Sequence, residues 1–135
     1  MSIAYAQEQD LPAADYISVV GATIMRDRRP IGNPKRVERM LRGSNLIVTA
    51  RENGDIIGVL RAISDGEWVC YVSDLAVHDG HQRQGIGKAL LDTCKAIRGP
   101  GMVMVLVAYP EAEAFYRRLG MGESTAFYVD REISD

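Results

Sequence analysis

Three apolar, β-rich runs separated by two glycine turns constrain this chain more than any other feature. Leu46-Ile47-Val48-Thr49-Ala50 is followed by Asn53-Gly54, then by an apolar run over residues 56–63, then by Asp65-Gly66, then by a third run over 68–77. Asn-Gly supplies the positive φ angles that a two-residue hairpin loop needs, because its twist must match that of the flanking strands. Residues 46–77 therefore read as an antiparallel meander of three strands. Only a sheet protein accommodates that, and the remaining residues must cover its faces.

On either side the period changes to that of helices. Residues 3–6 suit a short first strand. Asp10-Leu11-Pro12 reads as a helix start, with Asp10 in a capping position and Pro12 in the first turn. Helical spacing of Tyr16, Val19, Val20 and Thr23 carries that helix to about Met25. Pro30 and Gly32 mark a loop, and the basic run Arg26-Asp27-Arg28-Arg29 at its start reads as solvated. Pro34 opens a second helix in which Val37, Met40 and Leu41 share a face, and Gly43 ends it. After His81, the stripe Ile86, Leu90, Leu91, Cys94 and Ile97 gives a third helix to about Arg98. Residues 102–107 form a nearly unbroken apolar run, the pattern of a strand covered on both faces. A last helix spans 110–119, and residues 125–129 read as a final strand. The order is β-α-α-β-β-β-α-β-α-β, an α/β fold with one mixed, mostly antiparallel sheet flanked by helices.

Composition excludes several classes of function. The 135 residues are 47% apolar and 25% charged, and are read as one domain over 1–135. A formal net charge of -2 provides no positive field for nucleic acid or membrane partners. Cys70 and Cys94 form no Cys-x-x-Cys pair, and no metal ligand set is spaced for zinc. His78 and His81 read as exposed loop residues. Few cysteines, no leader-like N-terminal run and no long apolar stretch point to the cytoplasm.

The segment from Val72 to Leu91 carries the chemistry. An apolar strand ends at Val77 and runs through Gln82-Arg83-Gln84-Gly85-Ile86-Gly87-Lys88 directly into a helix. Backbone N–H groups at a helix start lack intrahelical partners and carry partial positive charge, so they converge on anions. Glycine there clears the approach and permits unusual backbone angles. Gly85 and Gly87 fit a phosphate cradle, with Arg83 and Lys88 adding charge. A P-loop is excluded, since it requires Gly where Gln82 stands and Ser or Thr where Ala89 stands. A dinucleotide fingerprint is excluded by Leu90 in place of a third glycine.

The run from Asp74 to Leu91 resembles the coenzyme-binding signature of the GCN5-related N-acetyltransferase (GNAT) family. A second segment, from Ala112 to Met121, is similar to the family's later motif, a helix with an aromatic-Tyr pair ending in Leu-Gly and a large apolar residue. The resemblance covers about residues 46–131. It implies the acyl-CoA N-acyltransferase fold and acetyl-CoA as co-substrate, with transfer of the acetyl group to a primary amine of a small molecule or peptide. It implies that the main chain of Leu75, Ala76 and Val77 pairs with the pantetheine arm. Gln82 opens the glycine motif, and the amides of Arg83, Gln84, Gly85, Ile86, Gly87 and Lys88 hold the pyrophosphate. Tyr116 is implied as the general acid for the leaving thiolate, with a backbone amide near Val77 polarising the carbonyl.

The proton acceptor is open among Glu67, Tyr71, Ser73 and Asp74. Asp74, a carboxylate inside an apolar strand, is either that base or a local organiser of the loop. The chain departs from the family at Tyr109, where many members carry Asn, and at Met121, where Phe is common. No metal is implied, and a homodimer is compatible with an exposed last strand. Two other readings share the fold: a non-catalytic acyl-CoA sensor and an interaction module.

Overall fold

The computed structural model describes residues 2–133. Five strands form one sheet in the order β1-β2-β3-β4-β5: β1 Ile3–Gln7, β2 Leu46–Glu52, β3 Asp55–Ser64, β4 Val69–Val77 and β5 Val103–Leu106. The first four pair antiparallel and β5 joins β4 in parallel. The meander expected from the two glycine turns is present. Asn53 and Gly54 both have positive φ, at 52° and 86°, the pattern that closes a two-residue hairpin. At the second turn one carboxylate oxygen of Asp65 accepts from the backbone N–H groups of Glu67, Trp68 and Val69. These bonds hold the Asp65 carboxyl below its usual range.

Among the described residues four α-helices flank the sheet: α1 Ala13–Val20, α2 Pro34–Arg42, α3 Ile86–Arg98 and α4 Glu113–Arg118. α1 and α2 cover one face of the sheet, where Tyr16, Val19, Val37 and Leu41 pack with Ile47 and Val59. α3 covers the other face with Ile86, Leu90, Leu91 and Cys94, which meet Val48, Leu60, Cys70 and Val72. Gly58 permits this close seating. A Cβ there would lie 3.1 Å from Leu90 and 3.3 Å from Ala50 and Ile86.

Several expectations are corrected. Asp10 does not cap α1; Pro12 stands at the cap position without a side-chain bond. α1 stops at Val20, and residues Ile24–Asp27 form a separate 3-10 turn capped by the Thr23 hydroxyl, so Met25 reaches the core outside the helix. The last helix is divided into a 3-10 turn, Pro110–Ala112, and α4. β5 is covered on one face only: Met104 and Leu106 pack on the α3 side, whereas Val103 and Val105 are exposed. An unbroken apolar run cannot distinguish two buried faces from one buried and one bare. Residues 125–129 form no strand, because no neighbouring strand pairs with them.

Candidate active site

The β4–β5 register generates the site. Parallel pairing starts at Val69↔Val103 and stops at Val72↔Leu106. On its other edge, β4 slips register against β3 between Arg61 and Ala62, which places Ser73 as the extra, bulged residue. Beyond Val72 the two parallel strands therefore separate. The edge of β4 over residues 73–77 faces a cleft of about 430 Å³ rather than a neighbouring strand. Leu75, Ala76 and Val77 line that cleft, as do Gln82, Arg83, Gly85, Ile86 and Gly87 of the following turn. The structure thus brings the two expected coenzyme-contacting segments to one opening.

The turn after β4 is held by its own chain. The His78 N–H donates to the Ile57 carbonyl at 2.8 Å, and the Gln82 side-chain amide donates back to the Val77 carbonyl at 3.2 Å. Gly85 has φ +80° at the start of α3, and nothing lies within 4 Å of where its Cβ would be. The backbone there is left-handed and the space beside its Cα is open, which suits the close approach of a ligand. Arg83 also has positive φ, at 65°, a conformation costly to any residue with a Cβ.

Other motif residues have different surroundings. A Cβ on Gly87 would lie 3.1 Å from the Phe115 ring, so the bare glycine seats that ring on the first turn of α3. Ile86 is buried in the core. The Lys88 ammonium pairs with Asp92 at 2.7 Å along the exposed side of α3. Gln84 is exposed.

Tyr116 lines the same cleft from α4, half-buried, its ring edge-on to Phe115 at 5.0 Å between centroids. Burial raises its phenol above the ordinary range, so the proton stays on oxygen at neutral pH. That is the protonation state an acid needs.

Asp74 points to the other face of β4 and is buried. Its carboxylate accepts from Arg61 Nε at 2.6 Å, Arg29 Nε at 2.7 Å and the Tyr16 hydroxyl at 2.6 Å. Burial alone would disfavour its charge. The Arg61 and Arg29 guanidiniums and the Tyr16 hydroxyl outweigh that and hold the carboxyl below the usual range. Burial, reinforced by the Asp74 charge, pushes the Tyr16 phenol in the opposite direction.

The remaining base candidates are dispersed. Ser73 lines the cleft, but its hydroxyl accepts from Arg61 at 2.9 Å. Tyr71 lies partly exposed on the sheet face, and Glu67 is exposed in the β3–β4 turn.

The run 26–29 is only half solvated, contrary to expectation. Arg26 and Asp27 are exposed, but Arg29 is drawn inward to Asp74. Arg29 also donates to the Ser73 carbonyl at 2.8 Å and to the Tyr109 hydroxyl at 3.0 Å. Arg28 lies 4.0 Å from the Tyr109 ring centroid and pairs with Glu111 at 2.9 Å. Tyr109, at the family's Asn position, thus ties the loop after β5 to the loop after α1 across the cleft. The signal for this clasp was Asp74 itself, since a buried carboxylate requires a cationic partner. His81, expected to be exposed, is instead half-buried, its Nε2 3.2 Å from Glu52.

A family model described as an acetyltransferase (GNAT) domain matches residues 43–120, more than half of the chain. The chain belongs to the GNAT acetyltransferases. An uncharacterised N-acetyltransferase, ycf52, of Porphyra purpurea is 29% identical over 99 residues, covering 69% of this chain and 55% of its own length. The chain thus spans about half the length of that curated relative.

Among solved structures, a GNAT-family acetyltransferase of Streptococcus pneumoniae aligns with a TM-score of 0.73 at 21% identity, covering 97% of this chain and 100% of that one. An aminoglycoside acetyltransferase from an uncultured soil metagenomic sample aligns with a TM-score of 0.70 at 26% identity, covering 99% and 100%. The GNAT fold expected from the sequence is the fold observed. No three His, Cys, Asp or Glu side chains among the described residues could jointly hold a metal ion. No described helix is long and apolar enough to cross a membrane.

Proposed function

We propose that this GNAT domain is an N-acetyltransferase that binds acetyl-CoA in the β4–β5 cleft and transfers its acetyl group to a primary amine. The observation that carries the reading is the loss of β4–β5 pairing after Val72, in a cleft that Gly85 and the Tyr116 side chain also line. Main-chain groups of Leu75, Ala76 and Val77 fit the amide-bearing pantetheine arm as a strand is fitted to a sheet edge. The turn from Gln82 to Lys88 fits the pyrophosphate through helix-start amides, and Arg83 contributes positive charge.

In the reaction the amine nitrogen bonds to the acetyl carbon and the carbon–sulfur bond breaks, sending its electron pair to sulfur. Tyr116 supplies the proton to that thiolate and recovers one from solvent. A backbone amide near Val77 polarises the carbonyl oxygen. Asp74 is assigned as a positioning residue, not the base. Each of its two oxygens accepts from a guanidinium, so protonating it would leave both arginines without their counter-charge. The proton lost by the acceptor leaves through water in the open cleft.

An amine acceptor suits the rim. Asp27 and Asp79, with Arg26 beside Asp27, line a second cavity of about 320 Å³ that shares Thr23, Ile24 and Gln82 with the cleft. The aminoglycoside acetyltransferase relative is consistent with a polyamine-like small molecule. The buried, free thiols of Cys70 and Cys94 suit a reducing compartment such as the cytoplasm.

The reading is tested by thiol release from acetyl-CoA over a panel of small-molecule and peptide amines, with wild type and Tyr116→Phe. Turnover on at least one amine, reduced about a hundredfold in the variant with acetyl-CoA affinity kept, is expected. Tight coenzyme binding without turnover on any amine would replace the enzyme with an acyl-CoA sensor. No coenzyme binding would leave an interaction module.

A further inference from the structure

The two arginines after α1 are engaged unequally. The Arg29 guanidinium is drawn inward and donates to Asp74, to the Ser73 and Arg28 carbonyls and to the Tyr109 hydroxyl. Arg28 stays at the rim. Its guanidinium carbon lies 4.0 Å from the Tyr109 ring centroid, and its two terminal nitrogens donate to the two Glu111 carboxylate oxygens at 2.9 and 3.5 Å. The Arg28 and Glu111 side chains are 32% and 50% exposed, so this pair is weakly held and sensitive to salt.

Glu111 is out of place in a cleft for a polyanion. Among the described residues it is the one acid that lines the cleft, where Arg83 and Arg118 also stand. A coenzyme that carries phosphates gains nothing from a carboxylate there. The hydrogen bonds from Arg28, with its charge, hold the Glu111 carboxyl below its usual range, so it is ionised at neutral pH. An ionised carboxylate beside the face of an aromatic ring is a recognition site for a cation. Arg28 itself is the cation seated in it.

We propose that Glu111 and the Tyr109 ring form a subsite for a second cationic group of the acceptor, and that Arg28 occupies it until such an acceptor displaces it. The inference rests on the amine-acetylating reading and narrows it: the acceptor is a small diamine or polyamine. The amine that attacks the thioester must be neutral. A second amine of the same molecule remains an ammonium, exchanges for Arg28 and holds the first in position to react. A monoamine has no second charge and cannot use the subsite. Tyr109 keeps its place during the exchange, because Arg29 still donates to its hydroxyl. The loop after α1 stays anchored through the Arg29–Asp74 pair.

The test is calorimetric titration of the full chain with 1,4-diaminobutane and with butylamine, with and without saturating coenzyme A. The KM of each amine in the thiol-release assay is the second readout. Wild type is expected to favour the diamine. Glu111→Gln is expected to weaken the diamine about fivefold and shrink its advantage over butylamine, whereas Arg28→Ala is expected to strengthen it about threefold by emptying the subsite. Both side chains are exposed, so circular dichroism should report a folded chain for each variant. Equal affinity of wild type for the two amines, or diamine affinity unchanged or weakened in Arg28→Ala, would overturn the inference and leave the pair as a tie between two loops. Diamine binding that follows both variants without acetylation of any amine would remove the functional reading and keep the cation subsite. Acetylation of amines with a diamine advantage untouched by Glu111→Gln would keep that reading and remove the subsite.

Discussion

Replacing Asp74 by Asn separates the positioning role from the catalytic one. The carboxylate is buried and takes Arg61 at 2.6 Å, Arg29 at 2.7 Å and the Tyr16 hydroxyl at 2.6 Å. The amide keeps the shape but removes the negative charge that both guanidiniums face, on side chains that are 9% and 16% exposed. Breaking a buried ion pair costs about 3–5 kcal/mol. Both arginines keep other acceptors, Arg29 on the Arg28 and Ser73 carbonyls and Arg61 on the Ser44 and Ser73 hydroxyls. The expected loss is therefore at the lower end, about 3 kcal/mol, which lowers the melting midpoint by about 10 °C in a domain of this size.

Urea denaturation measures the free energy, and its pH dependence fixes the cause. A carboxyl held below its ordinary range contributes stability that is present above that range and lost as pH falls through the folded value. The gap between wild type and variant is therefore constant from about pH 5 to pH 8 and closes only in stronger acid. A variant that melts with wild type, folds normally and loses turnover together with one limb of the pH–rate profile would refute the positioning role and restore Asp74 as the base.

Other substitutions probe the same framework. Tyr16→Phe removes a buried bond to a charged acceptor and should cost about 1.5–3 kcal/mol. Combined with Asp74→Asn, it should cost less than the sum of the two, as read from a double-mutant cycle by urea denaturation. Arg83→Gly relieves positive φ and should stabilise the fold by about 1 kcal/mol, while titration shows weaker acetyl-CoA binding through the lost charge. Gly58→Val forces side-chain atoms into the contact with Leu90, Ala50 and Ile86. Overpacking there should destabilise by about 1–3 kcal/mol and, by shifting α3, also weaken coenzyme binding.

The meander, the three longer helices and the glycine turn were legible because each has a local cause. Asn53-Gly54 satisfies its own backbone geometry, and the α3 stripe repeats at helical spacing. β5 was misread because its apolar run carries the same letters whether or not a neighbour covers its second face. The missing strand at 125–129 is the same problem reversed: the segment has strand propensity, but pairing depends on a partner that propensity does not specify. At the site, Gly85 has one of the unusual backbone angles that glycine permits, at φ +80°. Gly87 proved to make room for Phe115, twenty-eight positions away, a contact invisible to spacing. Arg28 and Arg29 looked solvated because charge runs on loops usually are. Only their distances to Tyr109 and Asp74 show that they tie the loop after α1 to the loop after β5.

The opening between β4 and β5, with the turn at Gly85, is the proposed acetyl-CoA site. Calorimetric titration of the purified chain with acetyl-CoA, with ATP and NAD as controls, tests it most directly. Micromolar binding of acetyl-CoA alone is expected, strongly weakened by Gly85→Trp, which puts a side chain into the open turn and strains its backbone. Absence of binding, or equal binding by the Gly85→Trp variant, would contradict it.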